Sequence, residues 1–251
     1  MDHQDDWTGG SDETRQAEPP GRQPVFNLPG VLVTSIAILF VLYLVESLPL
    51  DAQEREQMLF YMAFSPLRYV YPLAEQGLEW LWTPVTYSLL HGGIEHLLFN
   101  TLWLMAFGAP VARRIGVFRY VVFWMLSAAA GAFFHAALHW GEPTVLIGAS
   151  GVVSALMGAA CRFAFPAHGG FSRMDGHLYP RQSLLGALGN RTVAVFTALW
   201  FLGNILIALG LPLVGAGAGE IAWDAHIGGF LFGYLLFGFF DPVPDRRRSI
   251  L

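Results

Sequence analysis

Four side chains in this sequence have the types and spacing for acyl-transfer chemistry. Ser150 lies in Gly148-Ala149-Ser150-Gly151, which opens the apolar run Val152 to Phe165. His226 lies in Ala225-His226-Ile227-Gly228-Gly229, which opens the apolar run Phe230 to Phe240. A serine hydroxyl is a weak nucleophile until a base takes its proton, and histidine is the usual base. His96 and Asn100 are four residues apart, hence on one face of a helix. Both can donate hydrogen bonds to a developing oxyanion. Polar groups inside membrane-length apolar segments are costly to bury, so their default reading is functional.

Glycines frame this set. Gly148 and Gly151 flank the serine and permit tight turns and close backbone approach. Gly229 and Gly233 recur at helical spacing from His226, and Gly-x-x-x-Gly lets a second helix come near. Ser150, Ser154 and Gly158 share one face of their segment, beside a small-residue stripe of Gly151, Ala155 and Ala159. Two such faces are expected to bring the segments together, with Ser150 near His226. The pattern differs from the Gly-x-Ser-x-Gly elbow of soluble hydrolases, because position 152 is Val.

Other polar residues read as structural. Asp224 is two residues from His226, and residues at that separation do not face each other on a helix. His91 is expected to hold a loop at the membrane boundary. Glu46 is expected to reach the interface. His135 and His139 form an i, i+4 pair, read as packing or hydrogen bonding. A metal site needs a third or fourth ligand, and there is no His-Glu-x-x-His motif. No metal or cofactor is expected.

The elements that position these groups are membrane helices. Of 251 residues, 54% are hydrophobic and 13% charged, against about 25% charged in soluble domains. Six apolar spans are expected near 31–48, 93–110, 118–138, 149–166, 192–211 and 222–240, each close to the roughly 20 residues that cross a bilayer. The first lacks a short positive region directly at its start and reads as a retained span rather than a cleaved signal. Residues 1–27 are polar and read as a disordered cytoplasmic tail. Residues 28–240 read as one membrane domain, and 241–251 as a short basic cytoplasmic tail. The lone Cys161 excludes an intramolecular disulfide. There is no internal repeat and no nucleic-acid signature.

Orientation follows from arginine, since the chain has no lysine. Arg15, Arg22, Arg113, Arg114, Arg119, Arg162, Arg173, Arg181, Arg191 and Arg246–Arg248 fall on one side, and only Arg55 and Arg68 on the other. The positive-inside rule then puts both termini in the cytoplasm. His91, His96, Ser150 and His226 all converge toward the outer side. The connection 49–92 carries Phe60, Tyr61, Tyr69, Tyr71, Trp80 and Trp82, and is expected to lie partly in the interface.

His91-x4-His96-x3-Asn100, Gly148-Ala149-Ser150-Gly151 and Ala225-His226-x2-Gly229-x3-Gly233, in this order, resemble the motifs of the rhomboid intramembrane serine proteases. The resemblance covers about residues 30–240. It implies an all-α membrane protein: a six-transmembrane-helix rhomboid-like bundle with an interfacial L1 loop. It also implies a Ser150–His226 dyad, and an oxyanion hole of His96, Asn100 and the Ser150 backbone N–H. The expected activity is endopeptidase cleavage of transmembrane protein substrates near the outer boundary, through an acyl-enzyme. The expected location is the bacterial plasma (inner) membrane. Two positions depart from some bacterial relatives: Trp82-Thr83 stands for Trp-Arg in the L1 loop, and Ser154 for a tyrosine beside the histidine. Oligomeric state is unknown from sequence. The competing readings are a noncatalytic binder of transmembrane helices and a channel lined by these polar groups.

Overall fold

The computed structural model describes residues 28–165, 176–211 and 222–242. The expected N-terminal tail, Arg173 and residues 243–251 of the basic tail lie outside the described residues. Nine α-helices occur among those described: α1 Gly30–Glu46, α2 Ala52–Met62, α3 Glu79–Thr86, α4 Ile94–Trp103, α5 Ala109–Leu138, α6 Ser150–Cys161, α7 Leu184–Gly189, α8 Arg191–Ala208 and α9 Trp223–Leu236. The described residues hold no β-strand, only an isolated antiparallel bridge between Phe64 and Leu146.

Local chemistry accounts for several boundaries. Pro29 precedes α1. Asp51 and Glu54 form a reciprocal capping box at α2. Asn190 caps α8 by accepting from the Thr192 and Val193 N–H groups. Between α4 and α5 the chain makes a π-helical turn, Leu104–Gly108. Pro110 follows it and offers no N–H to the preceding turn, which a wider turn accommodates. Gly116 has φ +75° and interrupts α5, so the expected break between the second and third spans falls there.

Two helical stretches, Ile94–Leu138 and Arg191–Ala208, are long and apolar enough to cross a membrane. Gly30–Glu46 and Ser150–Cys161 are apolar but shorter. The expected span 149–166 is thus a helix of only 12 residues, and the expected 222–240 is a 14-residue helix followed by a short 3-10 turn.

α6 is the axis of the packing. Every residue from Gly151 to Cys161 is buried. A Cβ on Gly229 would collide with the Gly151 carbonyl oxygen, one on Gly233 with that of Ala155, and one on Gly158 with that of Phe230. Backbone therefore lies directly on backbone between α6 and α9, as the paired small-residue faces require. Large apolar side chains lie on the outside instead: Phe99 is 62% exposed, Phe118 80% and Phe239 87%. An apolar surface of this kind suits lipid rather than water.

At one end of the bundle, Arg114 binds both Asp241 oxygens at 2.9 Å and the carbonyls of His177 and Tyr179. Arg162 donates to the Gln182 and Tyr234 carbonyls. These arginines join elements far apart in sequence, in addition to adding charge on that side.

The connection from α1 to α4 is an ordered structure. The Tyr87 hydroxyl donates to the Ala128 carbonyl at 2.9 Å, and Tyr87 accepts from the Gly148 N–H at 3.0 Å. Thr83, one of the two departures in sequence, is buried, and Arg68 supplies a guanidinium to the loop. It donates to the Phe60 carbonyl at 2.7 Å and lies 3.6 Å from Glu79. Burial lowers the Arg68 pKa, and Glu79 partly opposes this.

Candidate active site

Ser150 is the first residue of α6 and is half-buried. The first N–H groups of a helix have no intrahelical acceptor, so they converge where negative charge can be held. Gly148 turns the chain into this position with φ +113°, a conformation that disfavours side chains. A Cβ there would also press on the His96 ring, 2.7 Å from Nε2. His96 thus lies against the segment that carries Ser150.

Asn100 is one turn further along α4 and 2% exposed. Its Nδ2 has no hydrogen-bond partner among the described residues. A buried amide left without an acceptor is costly, and an acceptor that arrives only with substrate would relieve it.

His226 is in the first turn of α9. Gly151, next to Ser150, touches Gly229, one turn after His226, and packs near the carbonyl of Ala225. The segments carrying the serine and the histidine therefore meet at one level. His226 Nδ1 lies 2.9 Å from Asn204 Oδ1 on α8. Asn204 is 4% exposed, and its Nδ2 donates to the Trp200 carbonyl at 2.9 Å. With the amide N–H so engaged, Oδ1 is the acceptor and His226 Nδ1 the donor.

Asn204 escaped the sequence reading. The signal available was a lone asparagine inside the apolar run of α8, and such residues are functional candidates by default. Asp224 binds other partners: His135 Nδ1 lies 2.9 Å from its Oδ2, and His139 Nε2 is also at 2.9 Å. Glu46 departs from expectation. It is 9% exposed, and its Oε2 accepts the His91 backbone N–H at 3.1 Å. A loop N–H thus partners one carboxylate oxygen, while Oε1 is buried without a hydrogen-bond partner among the described residues. His91 is 2% exposed and meets His96 edge to face, with ring centroids 5.0 Å apart. Ser154 donates its hydroxyl to the Ser150 carbonyl at 2.7 Å.

A family profile described as "Rhomboid domain" matches residues 79–241, from α3 to Asp241. The chain belongs to the rhomboid family. All the candidate residues fall inside the matched region. Among curated rhomboids, the chain is similar to Rhomboid protease GlpG of Pectobacterium atrosepticum, 30% identical over 171 residues, 68% of this chain and 52% of that protein. The protein of the same name from Serratia proteamaculans is 30% identical over 173 residues, 67% of this chain and 50% of the relative. That of Enterobacter is 30% identical over 169 residues, covering 67% and 51%. The chain spans about half the length of these rhomboid relatives. Its all-helical architecture and apolar exterior accord with an integral membrane protein of this family.

Proposed function

We propose that this chain is an intramembrane serine endopeptidase that cleaves transmembrane protein substrates through a Ser150–His226 dyad. The observation that carries this reading is the His226–Asn204 contact beside the start of α6. With Nδ1–H directed at Asn204 Oδ1, the neutral imidazole keeps Nε2 unprotonated. Nε2 is then available to take the Ser150 proton.

In this mechanism Ser150 Oγ attacks the scissile carbonyl carbon as Nε2 accepts the hydroxyl proton. The negative charge that forms on the carbonyl oxygen is held by the Ser150 N–H, Asn100 Nδ2 and His96. The intermediate collapses as the C–N bond breaks, and His226 gives its proton to the leaving amine. Water then repeats the sequence on the acyl-enzyme, His226 acting first as base and then as acid. Gly148 and Gly151 shape the nucleophile turn. Gly229 and Gly233 hold α9 against it, and His91 braces the loop beside His96.

The depth of the site is consistent with the short α6. Its 12 residues extend about 18 Å at 1.5 Å per residue, less than the roughly 30 Å of hydrocarbon. A helix reaching the inner boundary then leaves Ser150 about 10 Å beneath the outer one. We assign six spans, with α4 and α5 providing two of them on either side of Gly116. Both termini lie in the cytoplasm, and the site opens outward from a bacterial inner membrane. The exposed Phe60, Tyr61, Tyr71 and Trp82 support an L1 loop seated in the headgroup region. A substrate helix must unwind locally before Ser150 reaches a peptide bond, so helix-weakening residues favour cleavage.

The test is cleavage of a model transmembrane substrate by protein reconstituted in lipid, with Ser150→Ala and His226→Ala alongside. Loss in both folded variants supports the dyad. Binding without cleavage by the intact chain, together with no fluorophosphonate labelling of Ser150, would establish a noncatalytic binder instead.

A further inference from the structure

Away from the proposed dyad, three metal-ligating side chains converge where α5 ends and α9 begins. His135, His139 and Asp224 each offer one ligand atom, and these atoms all lie within 4.8 Å of one another. We propose that His135 Nδ1, His139 Nε2 and Asp224 Oδ2 bind a divalent transition metal of the zinc class.

The spacing suits an ion. His135 Nδ1 and His139 Nε2 are each 2.9 Å from Asp224 Oδ2. Tetrahedral zinc with bonds of about 2.0–2.1 Å holds neighbouring ligand atoms roughly 3.3 Å apart. The two contacts to Oδ2 need to lengthen by only a few tenths of an ångström to meet that spacing. Two imidazole nitrogens and one carboxylate oxygen form a donor set that favours zinc over magnesium or calcium.

The outer contacts of the ligands carry the argument further. Metal-binding histidines characteristically donate the other ring N–H to an oxygen, which fixes tautomer and orientation. Both do so here. His135 Nε2 lies 2.9 Å from Thr144 Oγ1, and His139 Nδ1 lies 2.8 Å from Glu142 Oε2. Asp224 Oδ1 accepts the Ala225 N–H at 2.7 Å and lies 3.0 Å from His135 Nδ1, while Oδ2 faces both imidazoles.

Hydrogen-bond valence at His139 points the same way. Its two ring nitrogens both face carboxylate oxygens. A neutral imidazole has a single N–H and satisfies only one of them. A metal on Nε2 resolves the conflict and leaves Nδ1–H for Glu142. The competing arrangement is an imidazolium held between two carboxylates, without metal.

His135–His139 had no evident third ligand in the sequence. The fold supplies Asp224, 89 residues from His135. The His139 side chain is 30% exposed, while Asp224 is at 1%. The site therefore has a route for the ion and room for water as a fourth ligand. The bound metal would tie α5 to α9 two residues before His226.

The experiment uses the full chain in lipid nanodiscs, purified without a polyhistidine tag. After equilibration with zinc and removal of free ion, elemental analysis is expected to find about one zinc per chain. Ser150→Ala should retain it. His139→Ala and Asp224→Asn should lose it, and Glu142→Ala should weaken binding about 10–100-fold. Cobalt loading of the unmutated chain should give the visible absorption of a tetrahedral site, which does not depend on any variant folding. No bound zinc and no cobalt spectrum would overturn the proposal in favour of the imidazolium network. Zinc retained in folded His139→Ala would overturn it in favour of another location.

Discussion

Asn204 Oδ1 lies 2.9 Å from His226 Nδ1, across the contact between α8 and α9. Asn204 thus occupies the position relative to the proposed base that an aspartate takes in a catalytic triad, but without a charge. A carboxylate there would stabilise an imidazolium strongly. The amide instead fixes the tautomer and the ring plane. Asn204→Leu is expected to lower kcat about 10–100-fold, because misplacing a catalytic group by about 1 Å has effects of that size. KM should change little. Steady-state kinetics in lipid checks the split, and a rise in KM with kcat unchanged would place Asn204 in substrate binding instead.

The unpartnered Asn100 amide leads to a second prediction. Asn100→Ala and His96→Ala should each reduce kcat about 10²–10³-fold, the usual effect of removing one oxyanion donor. Asn100→Ala should not lower thermal stability much, since Nδ2 has no hydrogen-bond partner among the described residues. An unchanged rate with a large fall in melting temperature would make Asn100 a packing residue.

The α6–α9 seam gives a stability prediction. Gly233→Ala places a methyl group against the Ala155 carbonyl oxygen. The helices must separate to admit it, a strain of about 1–3 kcal/mol. Thermal unfolding in detergent should show a lower midpoint, with activity falling in parallel. A midpoint equal to that of the parent would contradict the backbone-on-backbone contact.

His91 predicts a pH dependence. Burial first, and the neighbouring His96 second, push its pKa down to about 4 from 6.5. The folded protein therefore holds His91 neutral, and between about pH 4 and 6.5 the unfolded chain binds the extra proton. Its contribution is complete above about pH 6.5 and is lost progressively as the pH falls toward 4. Melting curves across that range should show His91→Gln with a flatter acid slope than the parent. Parallel slopes would remove His91 as a source of acid sensitivity.

The polar islands were legible in the sequence because Ser150 and His226 each open a long apolar run, and small residues repeat at helical spacing beside them. The α6–α9 seam could be anticipated from Gly151, Ala155, Gly229 and Gly233 alone. What escaped were contacts between distant segments. Glu46 meets His91 across 45 residues, and Asn204 meets His226 across 22. Periodicity assigns a residue to a face but not to the group it meets. The length of α6 was also hidden, since Phe163, Ala164 and Phe165 resume the apolar pattern beyond Arg162 after the helix ends at Cys161.

The packing of α6 against α9 divides the molecule into a stator and a looser part. No side-chain volume separates those two backbones at Gly151 and Gly229, so neither helix can slide without the other. α8 is held differently: 17% of its apolar stretch is buried, against 44% for Ile94–Leu138. Asn204 rides on that less confined helix. Any outward swing of α8 carries the amide away from Nδ1 and leaves the imidazole free to turn. The alignment of the proposed base therefore depends on α8 remaining packed beside α9.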